Sequence, residues 1–159
     1  MDLLTWLEEN ALSTGVRESL LLYPTILALH SVGMAFLVGL SAAIDLRILG
    51  CAPRLPLAPM ERFFPVMWLG FWVNALTGLV LLAAAATKHL TDPVMYVKLL
   101  LVALAVVILR VLQTQVFRAP TNPHVGHMAK ILAGTSLACW ALAIVAGRLT
   151  AYTFFRFGE

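Results

Sequence analysis

Four apolar segments, each long enough to cross a bilayer, take up most of a chain of 159 residues. Hydrocarbon offers no water to an unpaired amide, so a segment immersed in it must satisfy its backbone N–H and C=O groups internally, which a helix does within itself. A crossing helix needs about 20 predominantly apolar residues. The sequence therefore predicts an all-α chain, an integral membrane four-helix bundle in a single domain covering residues 1–159. The spans are expected from about Leu20 to Leu46, Phe64 to Ala86, Pro93 to Val116 and Met128 to Tyr152. Helix breakers fall between them, at Cys51-Ala52-Pro53-Arg54-Leu55-Pro56, at Asp92-Pro93 and at Ala119-Pro120-Thr121-Asn122-Pro123. Pro65 suits a first helical turn. Pro24 is expected to bend the first span near its start.

The composition excludes several classes of function. With 61% hydrophobic and 12% charged residues and a mean hydropathy of +0.91, the chain lies outside the range of soluble domains. Short loops leave no room for a separate catalytic domain, so any chemistry belongs between the helices or on a partner. The net charge of +3 is spread over loops and helix ends. No basic block is interleaved with aromatics, which argues against nucleic-acid binding. Cys51 in the first loop and Cys139 within the last span do not suggest a disulfide. Glu8 and Glu9 precede the first long apolar run, so no cleaved signal peptide is expected and the first span directs insertion.

Leu3, Leu4, Trp6, Leu7 and Ala11 share a helical face opposite Asp2, Glu8, Glu9 and Asn10. That pattern suggests a short N-terminal amphipathic helix in the membrane interface, from Met1 to Leu12, with Trp6 at headgroup level; a frayed tail is the alternative. Arg47, Arg54 and Arg62 in the first loop and Arg118 and Lys130 at the third outnumber Arg17, Lys88 and Arg156 at the other side. The positive-inside rule then places both termini outside the cytoplasm.

The residue with the sharpest chemical meaning is His30, near the middle of the first span. An ionisable side chain within the membrane is costly and marks a functional site by default. Span two presents Gly70, Asn74, Thr77 and Gly78 on one face, with Asn74 at a similar depth, and Gly33 lies one turn from His30. An Asn74–His30 hydrogen bond between closely approaching helices is one reading of this set. The other is a haem b ligand, since imidazole is a standard axial ligand and a bundle can bury a porphyrin. Lys98 and Arg148, each near the outer end of its span, would then face the propionates; alternatively each snorkels to the headgroups. No second histidine is expected at the depth of His30. His89 belongs to the end of span two and His124 and His127 to the opposite loop, while Met34, Met95 and Cys139 are poorly placed. A single-ligand haem, or one shared with another subunit, is implied. His124 and His127 make a weak metal motif without Cys or carboxylate nearby. Asp45 is expected to pair with Arg110. No nucleophile–base set or phosphate-cradling loop is present, so hydrolase and ATPase chemistry lack support.

Over nearly its full length the chain resembles a bacterial family of small, functionally uncharacterised four-helix membrane proteins. The likeness rests on Tyr23-Pro24, Leu29-His30-Ser31-Val32-Gly33, Asp45-Leu46-Arg47-Ile48-Leu49-Gly50, Thr77-Gly78, Lys98, Ser136-Leu137 with Trp140, and Gly147-Arg148 with Ala151-Tyr152. It implies a four-helix architecture and a bacterial inner membrane, and assigns no activity. The likeness to b-type cytochrome membrane subunits and copper-resistance membrane proteins is one of general plan only. Three functions are expected as alternatives: a haem b-binding electron-transfer subunit of a larger complex, a non-catalytic structural or anchoring subunit, and a small-solute or proton pathway through His30 and Asn74. The expected partners are the lipid bilayer and other membrane or periplasmic subunits, or further copies of the chain. Against the pathway stands the wholly apolar stretch from Leu99 to Leu109.

Overall fold

The computed structural model describes residues 3–117 and 126–157. These are helical almost throughout, with no strand among the described residues. Two short helices, α1 (Leu3–Glu9) and α2 (Ala11–Glu18), precede the long α3 (Leu22–Leu49). A 3₁₀ turn at Ala58–Phe63 leads into α4 (Phe64–Ala84), followed by the short α5 (Ala86–Thr91). Helix α6 (Pro93–Leu112) continues as a π turn at Gln113–Phe117, and α7 (His127–Phe157) ends the described chain. Asp2, Arg118, the breakers at 119–123 and His124 lie outside the described residues, as do the side chains of Ala151, Tyr152 and Arg156.

Local chemistry sets the helix ends. The Ser19 hydroxyl accepts from the Leu22 amide (3.1 Å) where α3 begins. Pro24 is thus the third residue of the helix, in a first turn whose amides need no helical partner. At the other end Gly50 adopts φ 105°, open to glycine without the Cβ penalty. Its amide and that of Cys51 return to the Arg47 and Leu46 carbonyls, a Schellman closure. Ala85, at φ −142° and ψ 53°, separates α4 from α5. Asp92 then caps α6, its carboxylate accepting from the Val94 amide (2.9 Å) ahead of Pro93 in the first turn.

Four helical stretches, Leu22–Leu49, Ala58–Ala84, Pro93–Phe117 and His127–Thr150, are long and apolar enough to cross a membrane. Contacts between them define an antiparallel up-down-up-down bundle. His30 meets Gly78 while Gly33 meets Gly70, and Lys98 lies on Gly147. The main pairs are α3 with α4 and α6 with α7, joined through α3 and α7. Leu69, Trp72, Leu76 and Leu79 of α4 and Leu100 and Val107 of α6 are exposed, as suits side chains that meet lipid.

The best-filled part of the interior is the half nearer the first loop. There Leu37, Ile44 and Ile48 pack with Phe64 and Met67, with Ala105, Ile108, Leu109 and Leu112 of α6, and with Ala133 and Trp140 of α7. Arg110 does not reach Asp45. Its guanidinium lies 3.8 Å from the centre of the Trp68 ring, where a cation is attracted to the face of the indole. The expected Asp45–Arg110 pair is therefore absent.

The N-terminal segment is also rearranged relative to expectation. The chain breaks near Asn10 into two helices instead of continuing as one from Met1 to Leu12. Helix α1 rests on α5 and α2 on α4. Val16 is buried, and Glu8 accepts from the Thr87 amide at the start of α5 (2.7 Å).

Candidate functional site

The site is built on the closest approach of α3 and α4. A Cβ at Gly33 would stand 2.8 Å from the Gly70 carbonyl oxygen and 2.9 Å from the Asn74 amide nitrogen. One at Gly70 would stand 2.8 Å from the Gly33 oxygen. Only glycine at both positions lets the backbones touch, the usual route to helix association where lipid supplies no hydrophobic driving force.

That contact puts His30 and Asn74 into each other's reach, although their side chains do not bond to one another. Each bonds the other's main chain. The Asn74 Nδ2 amide donates to the His30 carbonyl (2.8 Å), and His30 Nδ1 lies 3.0 Å from the Asn74 carbonyl. A carbonyl oxygen only accepts, so Nδ1 carries the proton. The same N–H is shared with Thr77 Oγ1 (3.1 Å), whose own hydroxyl donates to the Val73 carbonyl (2.6 Å). Gly78 makes room for the ring, since a Cβ there would stand 3.1 Å from His30 Cε1. The imidazole is held in one tautomer and one plane, with Nε2 as the nitrogen bearing a lone pair.

Lys98 approaches from α6. Its half-buried stem passes over Gly147 of α7, within 3.4 Å of where a Cβ would be. Its ammonium is within electrostatic range of both His30 and His89. Arg148, next to Gly147, is exposed and does not join Lys98 in the interior. The structure thus gathers His30 and Lys98 and leaves Arg148 on the surface.

His89 enters the same electrostatic neighbourhood, although its sequence position suggested only the end of a span. The break at Ala85 turns α5 so that His89 is half-buried with Nδ1 enclosed and unpaired. Burial pushes the His89 pKa below the ordinary histidine value, and the Lys88 and Lys98 cations push the same way, against an opposing pull from Asp92. His127 lies exposed at the start of α7, at the far end of the bundle. Among the described residues no group of three His, Cys, Asp or Glu side chains is arranged around a common point.

The space around His30 differs from the filled half of the bundle. The groups that meet the ring are the Asn74 carbonyl, the Thr77 hydroxyl and Gly78, all of α4. Helices α4 and α6 follow one another in the chain through α5 yet touch sparsely. A comparison of the chain with protein-family models, with curated proteins and with solved structures found no match in any of the three.

Proposed function

We propose that this chain is a multi-pass protein of the bacterial inner membrane whose bundle binds haem b through His30, serving as an electron-transfer subunit of a larger complex. One observation carries the reading: His30 Nδ1–H is committed to acceptors of α4, leaving Nε2 to act as a ligand. Metal-ligating histidines almost always donate the second ring N–H to a carbonyl or carboxylate, which fixes the tautomer and orients the ring. Three further features support a porphyrin: Gly78 leaves room beside the ring, the sparse α4–α6 flank offers a side through which a flat macrocycle could enter, and Lys98 supplies a cation for a propionate.

Bound there, haem b would supply a one-electron couple, its potential tuned by the axial ligand and the burial of the site. The chain itself orients the imidazole through Asn74 and Thr77 and balances propionate charge through Lys98. Arg148, at the surface, is suited to a propionate that reaches the interface. A further iron ligand would have to come from His89, which shares the electrostatic range of Lys98, or from a partner subunit. Helices α1 and α2 lie over the α4–α5 end, with exposed Trp6 at the level of the headgroups and both termini on the periplasmic side. This reading keeps the chain within the small four-helix membrane proteins that it resembles.

A second reading is favoured by the completeness of the reciprocal bonds: His30 and Asn74 form a clasp that sets the register of α3 on α4 in a non-catalytic anchoring subunit. Pigment separates the two. The protein is purified from haem-replete cells, and its absorption spectrum is compared with that of His30→Ala. The haem reading expects a Soret band that His30→Ala abolishes and Lys98→Gln weakens. The clasp expects no pigment in either, and a stability loss of about 1 kcal/mol shared non-additively with Asn74→Ala. A colourless native protein, or pigment unchanged in His30→Ala, would refute His30 as the ligand.

A further inference from the structure

A second polar group lies in the filled half of the bundle, apart from His30 and unused by it. Asp45 is 1% exposed, Ser41 and Ser136 are 0% exposed, and Trp140 is 4% exposed. Ser41 and Asp45 are one turn apart on α3, and Ser136 and Trp140 one turn apart on α7, so two helices each contribute a pair. The hydrogen bonds run in one direction. Trp140 Nε1 donates to Ser41 Oγ (3.1 Å), and Ser41 Oγ donates to Asp45 Oδ2 at 3.4 Å, a long contact. Asp45 Oδ1 and Ser136 Oγ, both buried, complete no hydrogen bond, although Ser136 stands beside the same carboxyl.

A carboxyl sealed among apolar side chains is stable only when its charge is neutralised, by a proton or by a paired cation. Among the described residues no cationic side chain supplies one. Arg47, on the same helix, bonds the Leu55 and Pro53 carbonyls, and Arg110 is stacked on Trp68. The unsatisfied atoms of the cluster, Oδ1 and Ser136 Oγ, are both oxygens; its other polar atoms are Asp45 Oδ2, the Ser41 hydroxyl and the Trp140 indole N–H, the last already bonded to Ser41. Such a hard donor set suits an alkali or alkaline-earth cation better than a transition metal. One negative charge selects a monovalent ion, since a divalent one would leave a net positive charge in the core. The 3.4 Å between Ser41 Oγ and Asp45 Oδ2 also agrees. Oxygens held at roughly 2.4 Å from a cation of calcium's or sodium's size and at right angles to each other stand about 3.4 Å apart.

We propose that Asp45, Ser41 and Ser136 form a buried site for a sodium-sized monovalent cation that ties α3 to α7. Trp140, bonded to Ser41, is the site's built-in reporter. Binding removes the uncompensated charge and gives the two orphaned oxygens a partner, so the occupied bundle is the more stable one.

The test uses the full-length chain purified in detergent with choline as the only added cation, then titrated with sodium chloride at constant ionic strength. Trp140 emission is followed in a background with Trp6, Trp68 and Trp72 replaced by Phe, and the melting temperature is followed in the native chain. The expected result is a saturable change in both, not reproduced by choline. Ser136→Ala should weaken the apparent affinity by at least about tenfold, and Asp45→Asn should remove the response. If Asp45→Asn does not fold, Ser136→Ala and Ser41→Ala carry the comparison. Equal melting temperatures in sodium and choline would overturn the site. So would a sodium response that survives Asp45→Asn or is indifferent to Ser136→Ala, and a response to potassium alone would overturn the assignment of a sodium-sized ion.

Discussion

Replacing Gly33 by alanine adds one methyl group where α3 and α4 have no space for it. The new Cβ would meet the Gly70 carbonyl oxygen at 2.8 Å and the Asn74 nitrogen at 2.9 Å. Both are backbone atoms of a helix, so neither can swing aside as a side chain would. Restoring an ordinary contact of 3.4 Å requires the helices to part by about 0.6 Å. That shift would carry the reciprocal His30–Asn74 bonds, now 2.8 and 3.0 Å, to about 3.4 and 3.6 Å, beyond useful hydrogen-bond length. Overpacking of this kind costs about 1–3 kcal/mol, and each weakened intramembrane bond adds roughly 0.6 kcal/mol. The expected loss is therefore on the order of 2–4 kcal/mol. Reversible unfolding in mixed micelles measures it, with Gly39→Ala as the control. Nothing lies within 4 Å of a Cβ at Gly39, and alanine favours a helix over glycine by about 1 kcal/mol, so that variant should be neutral or slightly stabilised. The double variant Gly33→Ala/Asn74→Ala should lose less than the two single losses together, because the clasp can be lost only once. A Gly33→Ala protein as stable as Gly39→Ala would refute the account of the α3–α4 contact.

Two further outcomes follow from the end of the bundle where α1 rests on α5. Glu8→Ala removes the acceptor at the first turn of α5 and should cost about 1 kcal/mol, read as faster hydrogen exchange at the Thr87 amide with α3 and α7 unaffected. For His89, whose folded pKa lies below the ordinary value of 6.5, the unfolded chain takes up the proton first as pH falls. Its contribution is thus full above about pH 6.5, declines below it and levels off beneath the folded pKa; melting curves from pH 8 to pH 5 should show this fall, and His89→Gln should flatten it.

The parts of the site that follow a helical period were legible in the chain. Gly70, Asn74, Thr77 and Gly78 recur on one face of α4, and Gly33 lies one turn from His30, so the sequence alone points to a close polar contact between those two spans. The pairing of atoms was not. The expected Asn74–His30 hydrogen bond is made, but the touching backbones bring the main-chain carbonyls within reach, and each side chain bonds the other residue's main chain. Residue type and spacing carry no information on the offset of one helix along another, and that offset decides which atoms meet.

The same limit explains the two larger departures. Arg110 and Asp45 sit near the same end of their helices, which made an ion pair reasonable, but α6 turns the guanidinium onto the Trp68 face and α3 turns the carboxyl toward α7. Ser41, Asp45, Ser136 and Trp140 each had a place on a helix without any sign that they would meet. His89 was hidden for a different reason. The run Ala83-Ala84-Ala85-Ala86 contains no glycine or proline, and alanine is the best of helix formers, so nothing local announces the break at Ala85. What holds the break is tertiary: Glu8 caps the new helix from far away in the chain, and Asp92 with Pro93 fixes where α6 must begin. A helix that would continue on local preference is turned by partners at both of its ends, and the turn brings a second histidine toward Lys98.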